Sequence, residues 1–174
     1  MTAEISFAAL REEQLPLLQA WLAAPHVARW WGEAPTLSEV VTEYLPAIEG
    51  RDPTWHHVVS LGERPIGMVQ WYLWSAYPDS EDGDIGAHGD EAGVDYLIGE
   101  ADLIGQGIGP RMLGRYLDQI VFADPRVVGV RSTVHTDNVR SWRCLEKLGF
   151  SRSEPIPHPR GNLQYVMTLR RPGA

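Results

Sequence analysis

The chain has 174 residues, 44% of them hydrophobic, and carries 15 Lys and Arg against 23 Asp and Glu for a formal net charge of −8. That is the size of one ordinary domain, here residues 1–174, with enough apolar side chain for a proper core. The single cysteine, Cys144, excludes an internal disulfide framework, and no apolar run reaches the length of a membrane span. The opening Met-Thr-Ala-Glu-Ile-Ser lacks the basic and apolar layout of a secretory signal, so a cytoplasmic protein is expected.

Residues 10–23 place Leu15, Leu18, Trp21 and Leu22 at helical spacing, and Pro25 ends that helix. His26-Val-Ala-Arg-Trp-Trp-Gly32 follows and reads as a loop. Adjacent Trp30 and Trp31 are costly to expose, so they plug the core or wall a pocket. Thr36-Leu-Ser-Glu39 has the form of a capping box and opens a second helix with Val40, Val41, Tyr44, Leu45 and Ile48 on its face. Pro46 should kink or shorten it.

Residues 55–61 and 65–74 are β-rich runs joined by Gly62-Glu-Arg, a hairpin signal. His56 and His57 are adjacent and point to opposite strand faces, the other histidines are scattered, and no metal site is expected. Residues 75–93, rich in Asp, Gly and Ser, read as a long connection. Between Arg64 and Arg111 there is no Lys or Arg, yet the interval holds Asp79, Glu81, Asp82, Asp84, Asp90, Glu91, Asp95, Glu100 and Asp102. Such a run is either a solvated acidic loop or the footprint of a cationic small molecule. A nucleic-acid partner is not expected, since phosphate affinity needs clustered cations.

Residues 94–115 carry the most information. The apolar run 94–98 contains one acid, Asp95. Gly105, Gly107 and Gly109 then alternate through a loop, Pro110 stands where a helix should begin, and Leu113, Tyr116, Leu117, Ile120 and Val121 give that helix an apolar face. Glycines before a helix N-terminus leave approachable backbone N–H groups that suit an anion, most often phosphate. The Lys-Ser/Thr that closes a P-loop is absent, and the spacing is wrong for a dinucleotide fingerprint. A strand over 127–134, a helix capped by Asp137 or Asn138 and closed by Gly149, and a strand over 163–169 complete an α/β order with a mixed sheet.

The segment 104–109, Ile-Gly-Gln-Gly-Ile-Gly, resembles the acyl-CoA loop of the GNAT N-acetyltransferase superfamily, whose pattern is Arg/Gln-x-x-Gly-x-Gly/Ala, with Ile104 where Arg or Gln is usual. Asn138-Val-Arg-Ser-Trp-Arg-Cys-Leu-Glu-Lys-Leu-Gly-Phe150 resembles the family's second segment. Within the superfamily the chain is similar to aminoglycoside 6′-N-acetyltransferases in four stretches: 26–32, 35–46, Pro65-Ile-Gly-Met-Val-Gln70, and Gly93-Val-Asp-Tyr-Leu-Ile98.

The resemblance implies a GNAT fold whose central mixed sheet splays at the acyl-CoA site between flanking helices. It implies acetyl transfer from acetyl-CoA to a primary amine of a cationic small molecule, foremost the 6′-amine of aminoglycosides, by a monomer or homodimer that needs neither metal nor membrane. Asp95 is then the catalytic carboxylate that holds the ammonium and takes its proton. Trp30, Trp31, Asp79 and Asp95 bind substrate, with Asp82 or Asp84 as alternatives to Asp79. Leu97, Ile98, Ile104, Gly105, Gln106, Gly107, Ile108, Gly109, Arg111 and Asn138 hold the acyl-CoA, a backbone N–H near Leu97 or Ile98 serving the oxyanion. Arg115, Arg140, Arg143 and Lys147 are further cations that could meet it. Where the family places Tyr to protonate the leaving thiolate the chain has Leu145, so solvent or Tyr165 must serve, or no acid is needed. Other readings are a siderophore-precursor hydroxylamine or other small-amine acyltransferase, and a non-catalytic acyl-CoA or aminoglycoside-binding module.

Overall fold

A computed structural model describes residues 3–78, 89–158 and 161–173. The elements in order are β1 (Ile5–Ala9), α1 (Leu15–Ala23), α2 (Pro25–Trp31), α3 (Leu37–Ile48), β2 (Trp55–Leu61), β3 (Arg64–Leu73), β4 (Glu91–Ile98), α4 (Ile108–Tyr116), β5 (Gly129–His135), α5 (Val139–Lys147), β6 (Ser151–Arg152), β7 (Ile156–Pro157) and β8 (Leu163–Arg170). The strands form one mixed sheet in the order β1-β2-β3-β4-β5-β8-β6, with β7 also paired to β8. The chain divides into two compact units, residues 1–70 with 95–112 and residues 71–94 with 113–174.

In the first unit, β1 pairs antiparallel with β2, from Ile5 opposite Leu61 to Ala9 opposite His57. Gly62, at φ +61°, makes the two-residue turn from β2 to β3. Helices α1 to α3 bury Leu15, Leu18, Trp21, Leu22, Val27, Val40 and Tyr44 against Val58, Met68 and Leu97 of the strands. The capping box of α3 is formed: Thr36 Oγ1 accepts from the Glu39 N–H, and Glu39 Oε2 accepts from the Thr36 N–H at 2.7 Å. Pro46 lies within α3, which ends two residues later. Gly67 allows a close strand approach, because a Cβ there would stand 2.1 Å from the Leu97 carbonyl oxygen.

The N-terminal region departs from expectation. The first helix is shorter, because Glu12–Gln14 is a 3-10 turn. The Trp30-Trp31 stretch is helical, since Pro25 starts α2 rather than a loop. At a first helical position the missing proline N–H costs nothing. Strand β1, not anticipated at all, pairs along its length with β2.

In the second unit, α4 continues through Tyr116 into a π-helical turn, Leu117–Val121, with Leu113, Tyr116, Leu117 and Val121 buried. The β5–β8 ladder runs antiparallel from Gly129 opposite Arg170 to His135 opposite Gln164. Helix α5 closes as expected on Gly149, at φ +90°. The Phe150 N–H donates to the Leu145 carbonyl and the Gly149 N–H to that of Glu146, a Schellman ending. Among the described residues no helix is long and apolar enough to cross a membrane.

Candidate active site

The glycine loop is built in the first unit. A 3-10 turn at Ala101–Leu103 leads in, with the Leu103 and Ile104 N–H groups donating to the Glu100 and Ala101 carbonyls. Gly105 and Gly107 then take φ +81° and +74°, a region that side chains enter only with strain. A Cβ on either would meet nothing within 4 Å, so the loop backbone faces open space. Gln106 folds back, Nε2 donating to the Asp102 carbonyl at 2.6 Å. Ile108, 4% exposed, anchors the loop in the core, which leaves its backbone rather than its side chain to meet a ligand. Pro110 is the third residue of α4, not the first, still within the turn whose N–H groups lack intrahelical acceptors. Exposed Arg111 reaches the Ala3 carbonyl at 3.5 Å.

Asp95 is half-buried on β4. Strand alternation puts it on the face of Leu97, which packs in the helix-covered core. Gln70 Nε2, from β3, donates to Asp95 Oδ2 at 3.1 Å. Tyr44 of α3 lies close, its phenol pushed well above the usual range by burial, then by the charges of Glu43 and Asp95. Further along β4, the Ile98 carbonyl pairs with His26 Nε2 at 2.9 Å and the Gly99 N–H donates to the Ile66 carbonyl at 2.8 Å. Gly99 is pressed against the Trp21 indole, where a Cβ would clash at 2.1 Å, and Trp21 Nε1 donates to Glu100 Oε1. Of the tryptophan pair, Trp31 packs against the core while Trp30 carries the Arg29 guanidinium over its ring at 4.7 Å. Asp79, Asp82 and Asp84 lie outside the described residues.

In the second unit β4 and β5 pair in parallel at Glu91 opposite Gly129 and Ala92 opposite Val130. At Val94 a side chain takes over from the ladder. Ser132 Oγ accepts from the Val94 N–H at 3.2 Å and donates to its carbonyl at 2.9 Å. Asn138 is the N-cap of α5, its Oδ1 accepting from the Ser141 N–H at 3.3 Å. Leu145 is 3% exposed. Tyr165 packs edge-on to Trp142 with the Arg152 guanidinium 4.6 Å over its ring. Part of the acidic interval is consumed by ion pairs: Glu91 with Arg131 at 2.8 Å, and Glu100 and Asp102 with Arg64.

Sequence reasoning missed Gln70, Tyr44 and His26. Gln70 closes one of the stretches singled out by resemblance, but it lies inside β3 and 25 residues from Asp95, so no local signal marked the pairing. Among the described residues no three His, Cys, Asp or Glu are grouped to hold a metal ion.

A glycine turn opening a helix, an acid on the preceding strand, and an Asn-capped helix after the next strand thus follow one another along the chain. Residues 11–157 match the family model for the acetyltransferase (GNAT) domain, and the chain belongs to that family. It is an acetyl-CoA-dependent N-acetyltransferase. It is 32% identical over 167 residues to aminoglycoside N(6′)-acetyltransferase type 1 of Klebsiella pneumoniae, covering 92% of this chain and 81% of that protein. The structure of AAC(6′)-Ib with ribostamycin and coenzyme A superposes with a TM-score of 0.84 at 30% identity, covering 97% of this chain and 94% of the other. The AAC(6′)-Ib complex with coenzyme A and kanamycin gives 0.83 at 28% identity, covering 96% and 95%.

Proposed function

We propose that the chain is a single acetyltransferase domain that acetylates the 6′-amine of aminoglycosides. The observation that carries this is Asp95, a half-buried strand carboxylate with a hydrogen-bond donor on one oxygen, in a chain related along 92% of its length to an aminoglycoside N(6′)-acetyltransferase. Asp95 binds the substrate ammonium and takes its proton, directly or through water. The freed amine attacks the thioester carbonyl carbon, the adduct's nitrogen gives up its remaining surplus proton to solvent, the C–S bond breaks, and CoA leaves as the thiolate for solvent to protonate. Backbone N–H groups of residues 104–109 and the start of α4 hold the CoA phosphates, with Arg111 adding charge, Asn138 meeting the pantetheine arm, and an N–H at Leu97 or Ile98 polarising the acyl oxygen. Trp30 or Trp31 offers a ring face to a sugar, and Asp79 a second carboxylate.

Thiol release from acetyl-CoA over a panel of kanamycin-type aminoglycosides, polyamines and N-hydroxylysine tests this. Turnover confined to aminoglycosides with a 6′-amine, and reduced about 100-fold or more in Asp95→Ala, is expected, general-base contributions being about 10²–10⁴-fold. Full activity in the variant removes Asp95 from the mechanism. Turnover with the other amines alone removes the aminoglycoside.

A further inference from the structure

The donor that holds Asp95 is itself half of an unfinished pair. Gln70 Nε2 bonds the carboxylate, which turns Gln70 Oε1 away from it, and that oxygen is buried without a hydrogen-bond partner. His56 Nδ1 is buried without one too. The two side chains are neighbours: a side-chain hydrogen bond with Gln70 is among the causes that oppose the lowering of the His56 pKa by burial. Tyr44 packs edge-on against the same ring, centroids 4.9 Å apart. Buried polar atoms are rarely left unbonded, and bonding these two to each other satisfies both.

An amide can sit in two nearly isosteric orientations. In one, Gln70 offers its N–H to Asp95; in the other, its carbonyl oxygen faces the carboxylate and repels it. A His56 ring with its proton on Nδ1 favours the first, because only that orientation gives the proton an acceptor. Burial keeps the ring neutral, its pKa lowered to about 4, so one ring nitrogen is a donor and the other an acceptor throughout the neutral range. The titratable groups around this row are Tyr44 and Glu43 on α3, and His57 and Asp52 beside His56.

We propose that Gln70 is a positioning residue for Asp95, and that His56, donating from Nδ1 to Gln70 Oε1, decides which end of the amide faces the carboxylate. This rests on the reading of Asp95 as acceptor of the amine's proton. The device fixes the carboxylate rotamer and stabilises its charged form, since a bond donated to a carboxylate lowers its proton affinity. A misplaced catalytic group by about 1 Å is enough to cost about 100-fold in rate.

The first experiment needs no turnover: the Asp95 carboxyl carbon is titrated by NMR in the wild type, Gln70→Leu, His56→Phe and His56→Asn. The Asp95 midpoint is expected to rise by about one pH unit in Gln70→Leu, to rise partway in His56→Phe, and to return in His56→Asn, whose amide nitrogen sits near the place of ring Nδ1. An unmoved midpoint in Gln70→Leu overturns the proposal. Should Gln70→Leu fail to fold, Gln70→Glu replaces it; a second carboxylate beside Asp95 also raises the midpoint.

The second experiment is a kinetic cycle. Gln70→Leu is expected to lower kcat about 10-fold or more with the KM for acetyl-CoA unchanged, and to have no further effect on top of Asp95→Asn. Equal losses in both backgrounds overturn the positioning role and leave Asp95 in place. A wild-type rate in Asp95→Asn alone overturns both, and that single variant tells the two failures apart.

Discussion

The side chain of Ser132 on β5, rather than the β5 backbone, bonds the Val94 backbone. One hydroxyl takes the Val94 N–H at 3.2 Å and gives its own proton to the Val94 carbonyl at 2.9 Å, two positions past the last parallel β4–β5 pair. The contact is buried, with Ser132 and Val94 each 5% exposed. A backbone pair in that setting cannot turn to water instead. The parallel pairs thus stop at Ala92, and the Ser132 hydroxyl keeps the Val94 N–H and carbonyl from being orphaned.

Ser132→Ala removes both bonds at once. The Val94 N–H and carbonyl stay buried, so the variant is expected to lose about 1–3 kcal/mol per unsatisfied group, read from urea denaturation midpoints. Ser132→Thr keeps the hydroxyl and should retain most of the stability if the added methyl fits. Equal stability of wild type and Ser132→Ala would mean that the hydroxyl is not what satisfies Val94.

The glycine loop, α5 and the α3 cap were legible because each is specified within a few residues. Gly107 needs its own φ, Gly149 closes a helix whose apolar positions precede it, and Thr36 answers Glu39 three residues on. Asp95 stood out as an acid inside an apolar run. Its partner did not, because Gln70 lies 25 residues away and nothing local marks which glutamine meets which acid. Strand β1 was missed for the same reason: it is completed by β2, some fifty residues later. The acidic interval misled in part. Arg64 and Arg131, at and beyond its borders in sequence, neutralise Glu100, Asp102 and Glu91 in space.

His56 predicts a pH dependence of stability. Burial is the main cause of its lowered pKa, with His57 adding to it and Asp52 and Gln70 opposing, and the result is about 4 against an ordinary 6.5. Between those values the unfolded chain binds a proton that the folded chain refuses. Stability is therefore fully present above pH 6.5, falls as the pH drops towards 4, and loses nothing more from this group below 4. The loss is on the order of 3–4 kcal/mol, because each tenfold difference in proton affinity between the folded and unfolded chain is worth about 1.4 kcal/mol. His57, also lowered by burial, acts in the same direction. Urea denaturation from pH 4 to 7.5 should show a shallower slope in His56→Phe than in wild type. Parallel slopes would mean that His56 is not held neutral.

Tyr165 is the remaining question of proton supply. The sequence resemblance puts Leu145, buried and without a proton to give, where an acid would be expected, which makes the Tyr165 phenol attractive as a substitute. The geometry gives Tyr165 another occupation. Its ring stands edge-on to Trp142 at 6.0 Å, and the Arg152 guanidinium lies 4.6 Å from its centroid and 4.3 Å from that of Trp142. Glu146 holds the far side of Arg152 at 3.4 Å. The ring, not the hydroxyl, is what these contacts use. A departing thiolate, whose conjugate thiol has an ordinary pKa near about 8.5, can take its proton from water. Tyr165→Phe keeps the ring and is expected to leave kcat within about twofold of wild type, while Tyr165→Ala loses the stack and about 2–4 kcal/mol of stability. A tenfold fall in kcat for Tyr165→Phe at unchanged stability, with loss of the basic limb of the pH profile, would instead make its hydroxyl the acid that Leu145 cannot be.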